Sequence, residues 1–195
     1  MDKTKNYAKH TSCNPLKKLF IANFFRVFFK LVKNLEINTV LDVGCGEGFT
    51  LNKLKEKKIG ETYQGIDYSK EAIGIGKKLY PFLNLKQGDI YKLPYENNSF
   101  DLVICVEVLE HLENSEKGLK ELIRVSKKYL FLSVPNEPLF YLSNYTQWGK
   151  DIGHINKWTI WGFRKFVEKQ LDIKFLSMKT SFPWTMVLLR KHIKH

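Results

Sequence analysis

Residues 40–49 read VLDVGCGEGF. The apolar run stops at Asp42, and Gly44, Gly46 and Gly48 follow at every second position. An apolar run of this kind reads as a strand buried on both faces, as in the interior of a parallel sheet. The glycines let the backbone turn sharply and approach a ligand closely. A strand buried on both faces needs helices above and below it, which points to a layered α/β fold.

The chain keeps that rhythm up to residue 134. Strands are predicted at 39–43, 62–66, 83–87, 101–106 and 129–134, and helices at 48–57, 70–79 and 115–125. Ser69 is the expected N-cap of the second of these helices, and Pro81 stops it. Residues 135–158 carry turn residues and aromatics without a period, and read as a lid. A helix is expected at 159–171, then strands at 173–179 and 185–189. The turn of Ser181, Phe182 and Pro183 between those strands is too short for a parallel crossover, so they pair antiparallel. The expectation is one Rossmann-like α/β domain, with a seven-stranded, mostly parallel sheet whose last strand is antiparallel. Its parts are an N-terminal helical cap over 1–37, a ligand-binding core over 38–134, the lid, and a C-terminal helix and hairpin over 159–195. A length of 195 residues suits a single domain. Cys13, Cys45 and Cys105 follow no disulfide or metal-finger spacing, which fits a reducing cytoplasm.

In open α/β sheets, ligands bind beyond the carboxyl ends of the strands. The dinucleotide fingerprint G-x-G-x-x-G keeps its third position small, whereas here Gly48 comes one residue early and bulky Phe49 follows. Asp42 would repel a phosphate and attract a cation. S-adenosylmethionine carries an ammonium and a sulfonium and no phosphate, so the stretch suits it better than NAD. Further acids end the next strands. Asp67, in GIDYS, can accept both ribose hydroxyls; Asp89, in QGDI, can accept an adenine amino group, with Ile90 against the ring. Glu107 ends the fourth strand, near the reacting end.

VLDVGCGEGF, GIDYS and QGDIYKLPYENNSFDLVICVEVLEHL together resemble the class I S-adenosylmethionine-dependent methyltransferases of the small type 11 kind. The resemblance runs densely from 39 to 134, and the last hairpin is similar to the family's reversed seventh strand. It implies that Asp42, Gly44, Cys45, Gly46, Asp67, Tyr68, Asp89, Ile90 and Glu107 hold the cofactor. The chain departs from the family at residues 125–129, where VSKKY replaces the usual Pro-Gly-Gly turn.

Methyl transfer is an in-line displacement in which the protein mainly aligns the nucleophile and excludes water. An oxygen nucleophile also needs a base or a metal. In EVLEH, Glu107, Glu110 and His111 would share a face once the strand turns into helix, and His154 follows in the lid. These four can hold Mg²⁺, Mn²⁺ or Zn²⁺. The run resembles two metal-dependent subfamilies, one acting on catechol-like quinone intermediates and one on the 3′-terminal ribose of small RNAs. His154 as a metal-free base, assisted by Glu107, and a pure positioning role remain alternatives. The lid resembles unassigned methyltransferases sharing Ser-Val-Pro-Asn-Glu-Pro and a later His-x-x-x-Trp. Its Tyr141, Tyr145, Trp148 and Trp158, with Trp161 just beyond, can stack on an acceptor or simply pack together.

Net charge is +12, and residues 1–35 hold eight Lys/Arg against one acid. Residues 16–32 read as a basic amphipathic helix, capped by Asn14 and opened by Pro15. Lys17, Lys18, Arg26 and Lys30 interrupt it too often for a membrane span. It is expected to pack over the cofactor cleft; the alternative is peripheral contact with a membrane. Only four of the 32 basic residues are Arg, which weakens a nucleic-acid partner. The reading that best joins these features is O-methylation of a small molecule, with ribose methylation of RNA as the alternative. The oligomeric state stays open.

Overall fold

The computed structural model describes residues 4–137, 153–170 and 172–192. A seven-stranded sheet runs through it in the order β3-β2-β1-β4-β5-β7-β6. The strands are β1 (Thr39–Val43), β2 (Thr62–Asp67), β3 (Asn84–Gln87), β4 (Phe100–Val106), β5 (Ser126–Pro135), β6 (Ile173–Ser181) and β7 (Trp184–Lys191). β1 to β5 pair in parallel, and β7 runs antiparallel to both β5 and β6. The Rossmann-like sheet with a reversed last strand is therefore present.

The helices are α1 (Lys5–His10), α2 (Pro15–Val32), α3 (Phe49–Glu56), α4 (Lys70–Leu79), α5 (Ser115–Val125) and α6 (Ile160–Glu168). A short 3₁₀ turn, Leu109–His111, follows β4. Two apolar cores form because side chains alternate along each strand. Along β4, Leu102 and Ile104 point into a core with Phe24, Phe28, Leu51, Leu54 and Ile73 of α2, α3 and α4. Val103 and Cys105 point the other way, toward Leu119 and Leu122 of α5 and Phe163 and Val167 of α6. On β1, Val40 faces the first core and Leu41 the second. By the same alternation Asp42 lies on the Val40 side.

Several boundaries differ from the sequence reading. β5 begins at Ser126, which is also the C-cap of α5, so no separate turn intervenes where VSKKY stands. Helix α6 ends at Glu168 rather than 171, and residue 171 lies outside the described residues. The lid residues Tyr141, Tyr145 and Trp148 also lie outside them. Asn14 caps α2 by accepting from the N–H groups of Leu16 and Lys17, and Pro15 occupies the first turn, as the sequence requires.

Helix α2 packs onto the body, as its broad aromatic face requires, but against the sheet rather than over the glycine loop. Its buried face, Phe24, Phe25, Phe28 and Val32, packs on the sheet, with Phe28 edge-on to Phe131 at 4.6 Å. It is a core helix. The element lying over the glycine loop is the short α1 before it. Among the described residues, no helix is long and apolar enough to cross a membrane.

Candidate functional site

The glycine loop leaves β1 by turning across β2. The N–H groups of Gly44 and Cys45 both donate to the carbonyl of Ile66, at 2.7 and 3.1 Å. Gly44 and Gly46 have φ of +78° and +54°, a left-handed backbone that side chains disfavour. A β-carbon on Gly44 would sit 2.1 Å from Val108, so the loop and the segment after β4 close on each other only because no side chain is there.

Carboxylates gather where the parallel strands end. Asp42 pairs in register with Gly65 of β2 and Ile104 of β4, and is 2% exposed. Burial first, and then the nearby Asp67 carboxylate, pushes its pKa up to about 8. A cation placed beside this carboxyl would favour its ionised form and bring the pKa down. Asp67 accepts from the N–H of Gly46 at 2.7 Å through one oxygen and from that of Ser69 at 2.8 Å through the other. It thereby ties the glycine loop to the end of β2. A carboxylate offers about four acceptor directions, so two remain available to ligand hydroxyls by geometry. Asp89 accepts from the N–H of Tyr91 at 2.8 Å.

The remaining residues expected here take different positions. Tyr68 is 81% exposed. Ile90 is buried and belongs to the α5-side core. Cys45 is buried too, and its thiol is pushed well up, first by burial and then by Asp42. Its sulfur would lie 2.7 Å from a β-carbon on Gly65, so the side chain points into the sheet and only its backbone faces the loop.

Sequence reasoning missed the group covering the loop. Glu47 is fully buried, and Thr4 Oγ1 and Asn6 Nδ2 each donate to its carboxylate. A β-carbon on Gly46 would lie 2.5 Å from Asn6 Nδ2. His10 stacks on Phe49 with ring centres 4.5 Å apart. Helix α1 is thus laid along the glycine loop and the start of α3. A helix of six residues has too short a period to be read, and only the cap chemistry of Thr4 signals it. Beside α1, a small apolar cavity opens between His10, Ile21, Phe24, Phe25, Val106 and Trp184.

The second group follows β4. Glu107 has φ +55°, uncommon for a residue with a side chain, and its carboxylate accepts from Trp184 Nε1 of β7. The chain then enters a 3₁₀ turn at Leu109 instead of an α-helix, so the i, i+3, i+4 face expected of Glu107, Glu110 and His111 does not form. Among the described residues, Glu110, His111 and His154 do come together, with one ligand atom of each within 4.8 Å of the others. Glu107 is not of that group. The segment bearing His154 is held on the turn by the N–H groups of Ile155 and Asn156, which donate to the Glu110 carbonyl at 2.8 and 2.9 Å. The amide of Asn156 donates to the carbonyls of Leu109 and Leu112.

Both imidazoles are oriented through Nδ1. In His154 it meets Glu137 Oε1 at 2.6 Å, and in His111 it meets the Gly153 carbonyl at 3.1 Å. An acceptor at Nδ1 keeps the proton there and makes Nε2 the basic nitrogen of the neutral ring. Glu137, the glutamate of the Ser-Val-Pro-Asn-Glu-Pro run, to which the sequence reading gave no role, is therefore the orienting partner of His154.

A family model described as a methyltransferase domain matches residues 41–131. Norajmaline N-methyltransferase of Rauvolfia serpentina is 34% identical over 131 residues, covering 64% of this chain and 40% of that protein. Demethylmenaquinone methyltransferase of Chlorobaculum tepidum is 34% identical over 119 residues, 58% of this chain and 49% of that protein. The chain thus spans half or less of the length of these curated relatives. Among solved structures, the PH0226 protein of Pyrococcus horikoshii superposes with a TM-score of 0.78 at 18% identity, covering 97% of this chain and all of that one. Magnesium protoporphyrin IX methyltransferase from Synechocystis, solved with bound SAH, gives 0.68 at 18% identity, covering 93% of this chain and 89% of that one. These last two likenesses are of fold.

Proposed function

We propose that the chain is a class I S-adenosylmethionine-dependent methyltransferase of the type 11 kind, a reading supported by its match to the methyltransferase-domain model over residues 41–131, and that it methylates a small-molecule acceptor at a hydroxyl oxygen. The observation that carries the cofactor's place is the array of Asp42, Asp67 and Asp89 around the glycine loop. It joins a buried carboxyl, which can pair with a cation once ionised, to acceptors suited to hydroxyl and amino groups. The bound cofactor supplies an electrophilic methyl carbon on a positively charged sulfur. The chain's own residues do the rest. Asp42 and the loop backbone hold the cationic end, Asp67 the ribose and Asp89 with Ile90 the adenine. Helix α1 covers the loop and excludes water. His154, held by Glu137, takes the acceptor proton at Nε2. Two relatives whose names specify norajmaline and demethylmenaquinone support a small-molecule acceptor.

A second reading is favoured by the Glu110–His111–His154 group. The donor set suits Mg²⁺, Mn²⁺ or Zn²⁺, and imidazoles whose other nitrogen meets a carboxylate or carbonyl are the usual supports of a metal. Such an ion would lower the pKa of an acceptor hydroxyl.

The test is calorimetry with S-adenosylhomocysteine, followed by transfer of a labelled methyl group to candidate acceptors, with the product's methylated atom assigned by NMR. Asp67→Ala should weaken cofactor binding by about 1–3 kcal/mol; unchanged affinity would remove Asp67 from the site. His154→Ala with turnover insensitive to EDTA but sharply reduced supports the base. Loss of turnover in EDTA, restored by a divalent ion, supports the metal. Wild-type turnover by His154→Ala removes both roles.

A further inference from the structure

Three large apolar side chains lie exposed at one end of the molecule. Leu16 and Leu19, in the first turns of α2, are 50% and 62% exposed, and Phe182, in the β6–β7 turn, is 46% exposed. They belong to one surface. The ring of Phe20 lies against that of Phe182 with centres 5.3 Å apart, and Asn23 Nδ2 donates to Ser181 Oγ at 2.9 Å. Helix α2 therefore abuts the hairpin turn at Phe20, and Leu16 lies one helical turn before Phe20 on the same face, with Leu19 its chain neighbour.

The ridge is also basic. Helix α2 contains Lys17, Lys18, Arg26 and Lys30, with Lys33 as its C-cap and no acidic residue. Lys18, Arg26, Lys30 and Lys33 are exposed. Apolar side chains at the tip and cations along the flank are the composition of an element that lies in a lipid interface. An anionic leaflet attracts such cations, and the apolar groups enter the headgroup boundary.

The ridge stands at the functional end of the sheet. Trp184 opens β7 opposite Pro135, the last residue of β5, so the β6–β7 turn lies at the carboxyl edge. Trp184 also donates to Glu107 and lines the apolar cavity with Phe24 and Ile21 of α2. One helix thus contributes both to the cavity wall and to the exposed ridge.

We propose that this ridge seats the protein peripherally on an anionic lipid bilayer. Leu16, Leu19 and Phe182 enter the interface, and the cations of α2 meet lipid phosphates. A nucleic acid would satisfy the cations but offers a solvated backbone with no place for three apolar side chains, and its usual base-reading residue, Arg, is only four of the 32 cations.

The test is co-sedimentation of the full chain with phosphatidylcholine vesicles, with and without phosphatidylglycerol, across a salt series. Binding is expected only with phosphatidylglycerol and should weaken as salt rises. The triple variant Leu16→Ser, Leu19→Ser, Phe182→Ser should bind anionic vesicles about tenfold more weakly or less. Its melting temperature should fall by only a few degrees, from the lost Phe20–Phe182 contact, and its S-adenosylhomocysteine affinity should match the wild type. Those two readouts separate a lost fold, or a failed cofactor assignment, from a lost membrane contact. Absence of binding to anionic vesicles at low salt would overturn the proposal. So would wild-type binding by the triple variant, or a salt-dependent RNA complex formed in place of vesicle binding.

Discussion

Asp42 shows how one buried group ties ligand binding to pH. It is 2% exposed, and burial with Asp67 nearby pushes its pKa up to about 8. In the unfolded chain the same carboxyl ionises in the ordinary carboxylate range. Between that range and about pH 8 the folded state holds a proton that the unfolded state has lost, so the ligand-free protein should lose stability as pH rises through this window. A cation beside Asp42 reverses the preference. Cofactor binding at neutral pH should release a proton, and affinity should rise from about pH 6 to about pH 8. Calorimetry in buffers of different ionisation enthalpy measures the released proton. Asp42→Asn should abolish the pH dependence, and an unchanged profile would mean that another group titrates. Gly44 makes a separate point about close approach. At φ +78°, with Val108 where a β-carbon would be, Gly44→Ala should cost about 1–3 kcal/mol and weaken cofactor binding, read by urea unfolding and calorimetry.

At the scale of elements, α1 and α2 divide work that the sequence reading gave to α2 alone. Amphipathicity marked α2 as a helix with a broad apolar face, and that much is present. It could not say which surface receives the face, because the sheet and the cleft both offer apolar partners. The structure gives the face to the sheet and leaves the loop to α1. Helix α1 is held chiefly by polar contacts, Thr4 and Asn6 on buried Glu47. Removing both donors strands a carboxylate in the interior. The double variant Thr4→Ala, Asn6→Ala should lose about 1–3 kcal/mol of stability. It should also exchange the amides of residues 46–49 faster in hydrogen exchange. Unchanged protection there would show that α1 does not cover the loop in solution. Lys191 illustrates a similar use of a cation far from the site, its ammonium donating to the carbonyls of Ile123, Arg124 and Ser126 at the end of α5.

Over the whole molecule, two cores share one sheet, and the first depends on α2. Phe28 is fully buried between that helix and Phe131 of β5. Phe28→Ala should cost about 3–5 kcal/mol, through lost transfer energy and the cavity left behind. The expected reading is a lower urea midpoint at an unchanged slope. A loss under about 1 kcal/mol would mean that α2 is not part of the cooperative unit. The same helix lines the apolar cavity and bears the exposed ridge, so its docking ties fold, cavity and surface together.

The sequence by itself determined the strand order's raw material and the glycine loop. Apolar runs ending near Asp42 and Glu107, and the glycine or cap residues in the turns after Asp42 and Asp67, are local patterns, and local patterns decide elements and their ends. The hairpin's short turn likewise required an antiparallel last strand. Tertiary structure alone decided which distant groups meet. Glu107 turned toward Trp184 because its backbone entered a left-handed, then 3₁₀, course, which parted it from Glu110 and His111. Glu137 reached His154 across 17 residues, and Thr4 and Asn6 reached Glu47 across more than 40. Such contacts depend on where packed elements stop relative to one another. No periodicity records that, because it is fixed by the shape of the core rather than by the spacing of residues along the chain.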